Sequence, residues 1–290
     1  MTETERRATV PSTHRIAFFF DFDETLAPTT TDRLVEHLGV DPGEFAEKYR
    51  KPLEDDGWEH DFATGYALME LQEKLGRPIT VEDFRAVGKD YPLYPGVPEM
   101  FGRVRRAAEE ASPGIGVEFY LITAGFIEVP DNCPVAGEFD ATFGGDLEYR
   151  EDGGIAFPQR IITHQEKTSY VLAICKGMDV DGPNGPAEVW RKVDHDDWRL
   201  LPDQCCFVGD GSSDFPAFRL MRERGGIAIG VHPEDSLEDW ENYGLAQEGR
   251  RLDNLAKADY SEGGELIESL KLAARCLAAK AALRKLGDGK

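Results

Sequence analysis

Short apolar runs alternate with amphipathic segments along most of the chain. The first run, Arg15–Phe20 (RIAFFF), is apolar after its first residue, as expected of a strand that is buried on both faces. Comparable runs at residues 117–123, at residues 205–210 and in the segment GGIAIGV predict three further buried strands. Two short runs around residues 152–154 (DGG) predict a β-hairpin. The alternation of strands and helices predicts an α/β fold with a Rossmann-like parallel sheet.

Helical patterns alone fill the stretch from residue 28 to residue 95. Helices are predicted there in the segments TDRLVEHL, FATGYALMELQEKL and VEDFRAV. Asp41 followed by Pro42 is typical of a helix N-cap and a first helical position. The simplest organisation is a catalytic core of residues 1–27 and 96–290 with a small helical cap domain, residues 28–95, inserted after the first strand.

The composition is that of a globular protein with an acidic surface. Hydrophobic residues make up 41% of the 290 residues and charged residues 30%, which argues against long disordered regions. The formal net charge of −22 repels nucleic acid and anionic membranes, so we expect neither as a partner. The longest apolar runs have about five residues, whereas roughly 20 are needed to cross a bilayer.

The five cysteines form no CxxC pair and no spacing typical of a disulfide framework or a zinc site. The first 15 residues are polar and lack the apolar stretch of a signal peptide. These two features predict a reducing, cytoplasmic location. The sequence does not predict an oligomeric state.

Two acidic residues follow the first predicted strand, in the segment DFDET. Asp21 and Asp23 stand where open α/β sheets bind their ligands, at the carboxyl end of a buried strand. The sixth position of this segment is Leu26, where an EF-hand calcium loop requires glycine, so the segment is not such a loop. Taken alone, the two acids are as consistent with an ordinary acidic loop as with a ligand site.

Three further groups of residues have types suited to phosphate or metal chemistry. Residues 123–125 (TAG) follow the second buried strand, where a hydroxyl and accessible N–H groups suit phosphoryl oxygens. Lys167 stands near a helix start, where its charge opposes the helix dipole. Asp210 and Asp214 follow the third strand in VGDGSSD and can converge on a cation. Each group alone has a plainer explanation, namely a strand-ending threonine, a solvated lysine and a glycine turn.

In combination, these four motifs resemble the haloacid dehalogenase-like (HAD) phosphohydrolases. The order DxDxT, strand-end Thr, Lys and GDGxxD matches that family from about Arg15 to Tyr260, and the helical insert matches its cap position. GDGxxD with an early helical cap resembles the phosphoserine phosphatase branch. The resemblance implies a Mg²⁺-dependent phosphatase that hydrolyses a small phosphomonoester through an aspartyl phosphate. Asp23 argues against a dehalogenase, because those members lack this second Asp.

The resemblance also implies a role for each acidic residue. Asp21 would be the nucleophile, and Asp23 would be the general acid and base. Mg²⁺ would be held by Asp21, by the backbone carbonyl of Asp23 and by Asp210. Asp214 would position this metal site.

The remaining motif residues are implied to bind phosphate or to support the loop. Thr123 and the N–H group of Ala124 would hold a phosphoryl oxygen, and Lys167 would neutralise the remaining charge. Thr25 would brace the DxDxT loop. Two alternatives stay open at this point, a phosphomutase of the same superfamily and a non-catalytic phosphate- or protein-binding module on the same fold.

Substrate specificity is where the sequence departs from the phosphoserine phosphatase branch. That branch binds the amino acid with a Glu nine residues after the nucleophile and with an Arg in a later cap helix. Here the ninth residue after Asp21 is Thr30, and the helical segment from His60 to Leu75 contains no Arg. The sequence therefore predicts that phosphoserine is a poor substrate and that a neutral or more apolar phosphomonoester suits the Phe-, Tyr- and Met-bearing cap.

Overall fold

A computed structural model of the chain describes residues 14–180, 185–194, 197–233 and 252–287. Most of the polar N-terminal segment, residues 1–13, lies outside the described residues. The strands are β1 (Arg15–Phe20), β2 (Gly116–Phe126), β3 (Ala141–Tyr149), β4 (Ile155–Arg160), β5 (Cys205–Gly209), β6 (Ile227–His232) and β7 (Asn254–Lys257). The helices are α1 (Thr30–His37), α2 (Pro42–Phe45), α3 (Lys51–Asp55), α4 (His60–Leu75), α5 (Val81–Lys89), α6 (Val97–Ala111), α7 (His164–Lys176), α8 (Phe215–Arg224) and α9 (Glu265–Gly287). Among the described helices, none combines the length and the hydrophobicity that a membrane-spanning segment requires.

The described strands form one sheet in the order β4-β3-β2-β1-β5-β6-β7. All neighbouring strands run parallel except β3 and β4, which form the predicted hairpin. The predicted α/β fold with a Rossmann-like parallel sheet is therefore confirmed. The hydrophobic pattern does not predict β7, because this edge strand has four residues of which only Ala256 is buried.

The central position of β1 in the sheet explains why every residue of the strand after the first is apolar. Phe18 and Phe20 belong to the apolar cluster that contains α6 and α9, on one face of the sheet. Ala17 and Phe19 belong to the cluster on the other face, together with α7 and α8. All four side chains are fully buried. Burial of a Phe side chain contributes about 1.5–3 kcal/mol, so a polar residue here would be costly.

The strand register brings the ends of β1, β2 and β5 to the same edge of the sheet. Phe20 is paired with Leu121 of β2 and with Val208 of β5. The backbone N–H of Asp21 then donates to the carbonyl of Val208 at 3.0 Å. Since parallel strands all point the same way, the residues after each strand face a common space.

A bulge interrupts β2 where the sequence predicts the end of the strand. Ile122 is paired with Phe143, but the next pair joins Phe126 to Gly145, so β2 has two extra residues between these pairs. Bulges re-aim side chains and leave backbone groups outside the ladder. β2 therefore continues to Phe126, while residues 123–125 turn their backbone toward the edge of the sheet.

The helical segment contacts the sheet at β2 through α1 and at β4 through α4, and it forms one wall of a cavity at the strand ends. The predicted N-cap Asp41 accepts a hydrogen bond from the N–H of Glu44 at 2.9 Å. The ring of Phe84 in α5 meets the ring of Phe126 edge-on, with centroids 6.4 Å apart. Helix α4 lies against β4 and begins at His60, above the strand ends. This packing places polar residues of the helical segment opposite Asp21.

Two tyrosines donate hydrogen bonds to the loop that follows β1. The hydroxyl of Tyr94, from the returning connection, donates to the carboxylate of Glu24 at 2.9 Å. The hydroxyl of Tyr260 donates to the carbonyl of Thr25 at 3.0 Å. These bonds fix the loop that follows β1.

The backbone geometry at position 96, at the end of the returning connection, requires glycine. Its φ is +79°, and an added Cβ would lie 2.4 Å from the carbonyl carbon and oxygen of Tyr260. We expect Gly96→Ala to lower the free energy of unfolding by at least about 2 kcal/mol, because the left-handed conformation and the contact both disfavour a side chain. Urea denaturation measures this loss.

Gly102→Ala is the matched control, because Gly102 lies within α6 with nothing within 4 Å of an added Cβ. Alanine there should be neutral or stabilising by up to about 1 kcal/mol. Equal effects of the two substitutions would contradict the structural role of Gly96.

Candidate active site

Lys167 lies beneath the strand ends and joins two aspartates. Its Nζ lies 3.0 Å from Oδ2 of Asp21 and 2.8 Å from Oδ1 of Asp214, and it donates to Oγ of Ser213 at 3.2 Å. The side chain is fully buried, so the plainer explanation of a solvated lysine is wrong. At the start of helix α7, the carboxylate of Glu166 accepts from the N–H of Thr163 at 2.9 Å, and Lys167 follows in the same first turn.

The charge of Lys167 is fixed by its two partners. Burial alone would lower the pKa of Lys167, but the carboxylates of Asp21 and Asp214 outweigh it and raise the pKa above its usual range. Burial also raises the pKa of Asp214 to about 6, against the opposing pull of the lysine. The lysine is therefore a permanent cation at neutral pH.

Asp23 has a different environment from Asp21, although only one residue separates them. Its Oδ1 accepts from the N–H of Thr30 at 2.8 Å, and its Oδ2 accepts from the hydroxyl of Thr30 at 2.9 Å. Burial and the charge of Asp21 raise the pKa of Asp23 to about 7, while the Thr30 bonds oppose this shift. An added Cβ on Gly125 would lie 2.8 Å from Oδ2 of Asp23, so the bulge in β2 needs glycine at this position.

The loop between Asp23 and α1 is held by Glu24 rather than by the hydroxyl of Thr25. Glu24 is the only described non-glycine residue with a positive φ, +56°, a conformation that needs support from its surroundings. Its carboxylate accepts from the N–H of Thr29 at 3.1 Å, from the hydroxyl of Thr29 at 2.9 Å and from Tyr94. The hydroxyl of Thr25 is buried without a hydrogen bond, so Thr25 contributes through its backbone.

Three carboxylates converge at the carboxyl ends of β1 and β5. One oxygen each from Asp21, Asp210 and Asp214 lie within 4.8 Å of one another. Burial and the charges of Asp21 and Asp214 raise the pKa of Asp210 well above its usual value. Oδ1 of Asp21 is buried and has no hydrogen bond. The donor set therefore fits a hard divalent cation with oxygen ligands such as Mg²⁺.

The predicted phosphate-binding residues lie beside these carboxylates. The hydroxyl oxygen of Thr123 accepts from the N–H of Gly125 at 3.2 Å, which orders the bulge. A cavity of about 420 Å³ opens above Asp21. From the sheet side it is lined by Asp21, Asp23, Glu24, Thr123, Ala124, Gly125, Phe126, His164, Asp210, Gly211, Ser212 and Ser213. The structure thus brings together Asp21, Asp23, Thr123, Ala124 and Asp210, with Lys167 and Asp214 directly below.

The opposite wall of the cavity differs from the sequence prediction. Residues 29–64 contribute Thr29, Thr31, Arg50, His60, Asp61 and Thr64 to it. No Phe, Tyr or Met from the helical segment is among the lining residues, so the residue types on which the prediction of a more apolar substrate rests do not line the cavity. Aromatic side chains such as Phe45, Phe84 and Tyr91 are instead buried in the apolar cluster that attaches the segment to the sheet.

Two charged residues of this wall were not among the sequence candidates. Burial and the neighbouring charge of Glu59 raise the pKa of Asp61 to about 7, although Lys167 opposes this shift. Arg50 comes from the π-helical turn Ala46–Arg50, ahead of the helix in which the sequence comparison sought an arginine. No local motif marks either residue, and only the packing of the helices brings them to the cavity.

Comparisons with known proteins support the fold. No protein-family model and no curated protein sequence matches the chain. Among solved structures, a HAD family hydrolase from Salmonella enterica subsp. enterica serovar Typhi has a TM-score of 0.55 and 14% identity, over 88% of this chain and 69% of that one. A substrate-bound phosphoserine phosphatase has a TM-score of 0.54 and 16% identity, over 89% and 98%. A probable phosphoserine phosphatase from Vibrio cholerae has a TM-score of 0.54 and 15% identity, over 96% and 68%.

The chain therefore has the fold of the HAD-family hydrolases, as its four motifs imply. In this fold, the motif residues Asp21, Thr123, Lys167 and Asp210 surround one end of the cavity. The arrangement places a buried cation beside a carboxylate, with three carboxylate oxygens close enough together to hold a metal ion.

We expect Lys167→Met to lower the free energy of unfolding by about 3–5 kcal/mol in metal-free buffer. The reason is that the buried carboxylates of Asp21 and Asp214 would lose their cation. Urea denaturation followed by circular dichroism measures this loss. The control Lys89→Met removes an exposed lysine and should change stability by no more than about 0.5 kcal/mol. Similar stabilities for the two variants would contradict the ion-pair assignment.

Proposed function

We propose that this protein is a Mg²⁺-dependent phosphatase that hydrolyses a small phosphomonoester through an aspartyl phosphate on Asp21. The observation that carries the proposal is the convergence of Asp21, Asp23, Lys167 and Asp210 at one end of a cavity. A non-catalytic binding module need not keep a general acid, whereas burial and the charge of Asp21 raise the pKa of Asp23 into the range suited to proton transfer. The HAD-like fold supports the same activity.

Residues 28–95 would act as a cap on a core formed by residues 1–27 and 96–290. The helical segment supplies one wall of the cavity, and the core supplies the motif residues. Closure of such a cap excludes water and holds the leaving group in place. The tyrosine bonds to Glu24 and Thr25 hold the loop through which the cap is connected.

In the first step, a carboxylate oxygen of Asp21 would attack phosphorus, and the bond from phosphorus to the leaving oxygen would break. Asp23, protonated at first, would give its proton to that leaving oxygen. In the second step, Asp23 would take a proton from a water molecule whose oxygen attacks phosphorus, which releases inorganic phosphate and restores Asp21. A pKa of about 7 allows Asp23 to be acid and base in turn.

The metal site would be formed by Asp21, Asp210 and the backbone carbonyl of Asp23. When bound, Mg²⁺ supplies positive charge that offsets the charge on the phosphoryl oxygens. Asp214 already accepts from Lys167 and, at 3.3 Å, from the N–H of Gly211, so it would position the site rather than bind the metal directly.

The phosphoryl oxygens would be bound from two other directions. Thr123 and the N–H of Ala124 lie at the bulge in β2, beside the attacking carboxylate. Lys167 would hold Asp21 in its ionised form and contribute its charge from below. Positioning and charge neutralisation are the main requirements of phosphoryl transfer.

We expect Asp21→Asn to abolish turnover while leaving the fold intact, because it removes the nucleophile, keeps the shape and leaves Lys167 its ion pair with Asp214. Asp23→Asn should impair the hydrolysis of alkyl phosphates far more than that of p-nitrophenyl phosphate, whose leaving group needs no proton. Steady-state kinetics, with release of inorganic phosphate and no bisphosphate activator, measures both effects. Turnover by Asp21→Asn within tenfold of the parent, or equal losses for the two leaving groups in Asp23→Asn, would overturn these roles.

Removal of metal with EDTA should abolish phosphatase activity, and added Mg²⁺ should restore it. Asp210→Asn should raise the Mg²⁺ concentration needed for half-maximal activity by at least about tenfold, because the cluster loses a charged ligand. The control Asp55→Asn alters an exposed acid of α3 and should leave this concentration unchanged. Full activity in metal-free buffer would contradict the metal site.

A further inference from the structure

Arg50 is a largely buried arginine whose guanidinium group has no hydrogen bond to any described residue. Its side chain is 18% exposed and lines the wall of the cavity opposite Asp21. Nε is fully buried and has no hydrogen-bond partner. The nearest acid oxygen, Oε1 of Glu54, lies 3.7 Å from Nε and is instead bonded to Nδ1 of His60 at 2.7 Å. Buried polar groups without a partner are rare, so this one requires an explanation.

The contrast with the other arginines of residues 28–95 excludes a shortage of acids as that explanation. Arg33, Arg77 and Arg85 each form an ion pair at 3.2 Å or less, on the surface. The chain has 55 acidic and 33 basic residues, so an acidic neighbour is easily provided. Arg50, the least exposed of the four, is the one that lacks a close partner.

Local backbone geometry fixes the position of Arg50. The turn Ala46–Arg50 is π-helical, and the N–H of Lys51 bonds to the carbonyl of Ala46, five residues back. Pro52 follows and has no N–H for an α-helical bond, so the wider turn replaces a broken one. Single π-helical turns within helices occur frequently at functional sites.

The electrostatic setting of the cavity makes Arg50 distinctive. Among the described residues that line the cavity, Arg50 is the one permanent cation, and the others that can carry positive charge are His60 and His164. Arg50 lowers the pKa of Asp32, although burial raises that pKa more strongly. Asp32 thus already contributes charge compensation, but the guanidinium forms no hydrogen bond to a described residue, and its Nε is buried. An arginine fork is suited to paired oxygens of a carboxylate or a phosphate.

We infer that Arg50 binds an oxyanion on the leaving group of the substrate. The substrate class is then a small phosphomonoester whose alcohol part carries a carboxylate or a second phosphate. This inference rests on the proposed phosphatase function. The cavity of about 420 Å³ suits a small metabolite, with the reacting phosphoryl group at Asp21 and the second anion at the opposite wall. This anionic substrate class would replace the neutral or more apolar phosphomonoester that the sequence predicts.

The experiment compares matched substrates that differ in one anionic group. D-3-phosphoglycerate and glycerol 3-phosphate differ by a carboxylate, and fructose 1,6-bisphosphate and fructose 6-phosphate differ by a phosphate. For the parent protein, we expect kcat/KM to favour the anionic member of at least one pair by tenfold or more. The pair that shows this preference identifies which oxyanion Arg50 binds.

The variant Arg50→Gln should lose about 10- to 100-fold in kcat/KM on the preferred anionic substrate, the range for a hydrogen bond to a charged group. It should stay within threefold of the parent on p-nitrophenyl phosphate, which also shows that it folds. Arg50→Lys should recover part of the loss, because it keeps the charge and loses the fork. The control Arg85→Gln removes an exposed arginine of α5 and should change neither value.

Two results would overturn the inference and leave the proposed function standing. One is hydrolysis of p-nitrophenyl phosphate by the parent without a preference for either anionic substrate. The other is an equal loss by Arg50→Gln on all substrates, which would make Arg50 a structural residue. A parent protein that hydrolyses no phosphomonoester in the presence of Mg²⁺ would instead refute the proposed function, and the inference with it.

Discussion

The ion pairs of Lys167 with Asp21 and Asp214 are the interaction on which the candidate site depends. A fully buried ammonium group is tolerated only when carboxylates surround it, and the carboxylates are tolerated only because of the ammonium. The pairs join the first turn of α7 to the carboxyl ends of β1 and β5. They require the parallel register of these strands, since a shift of one residue would move Asp21 to the opposite face. The ion pairs of the site therefore depend directly on the register of the sheet.

The same constraint gives two neighbouring acids different environments. Asp21 lies beside the buried cation, whereas Asp23 is bonded to Thr30 at the start of α1 and has a pKa of about 7. Two carboxyls with different environments are what nucleophilic attack and proton transfer require at neutral pH. The bulge in β2 contributes to this separation, because Gly125 allows the carboxylate of Asp23 to lie close to the strand.

Much of this arrangement could be predicted from the sequence, because it depends on local signals. The apolar run of β1, the acids directly after it and the N-cap at Asp41 each follow from side-chain chemistry at a known position. The bulge at residues 123–125 could not be predicted, since only pairing with β3 defines it. Arg50 and Asp61 could not be predicted as residues of the site for a related reason. Their place in the wall of the cavity depends on how the helices pack, and neither residue belongs to a motif.

The proposed function is tested most directly by detecting phosphate that is carried covalently on Asp21 during turnover. Borohydride reduces an aspartyl phosphate to homoserine, and peptide mass spectrometry then locates the reduced residue. The account predicts homoserine at position 21 when borohydride is added during turnover of p-nitrophenyl phosphate with Mg²⁺, and an unmodified Asp21 when substrate is left out. Reduction at another carboxylate, or an unmodified Asp21 under full turnover, would contradict it.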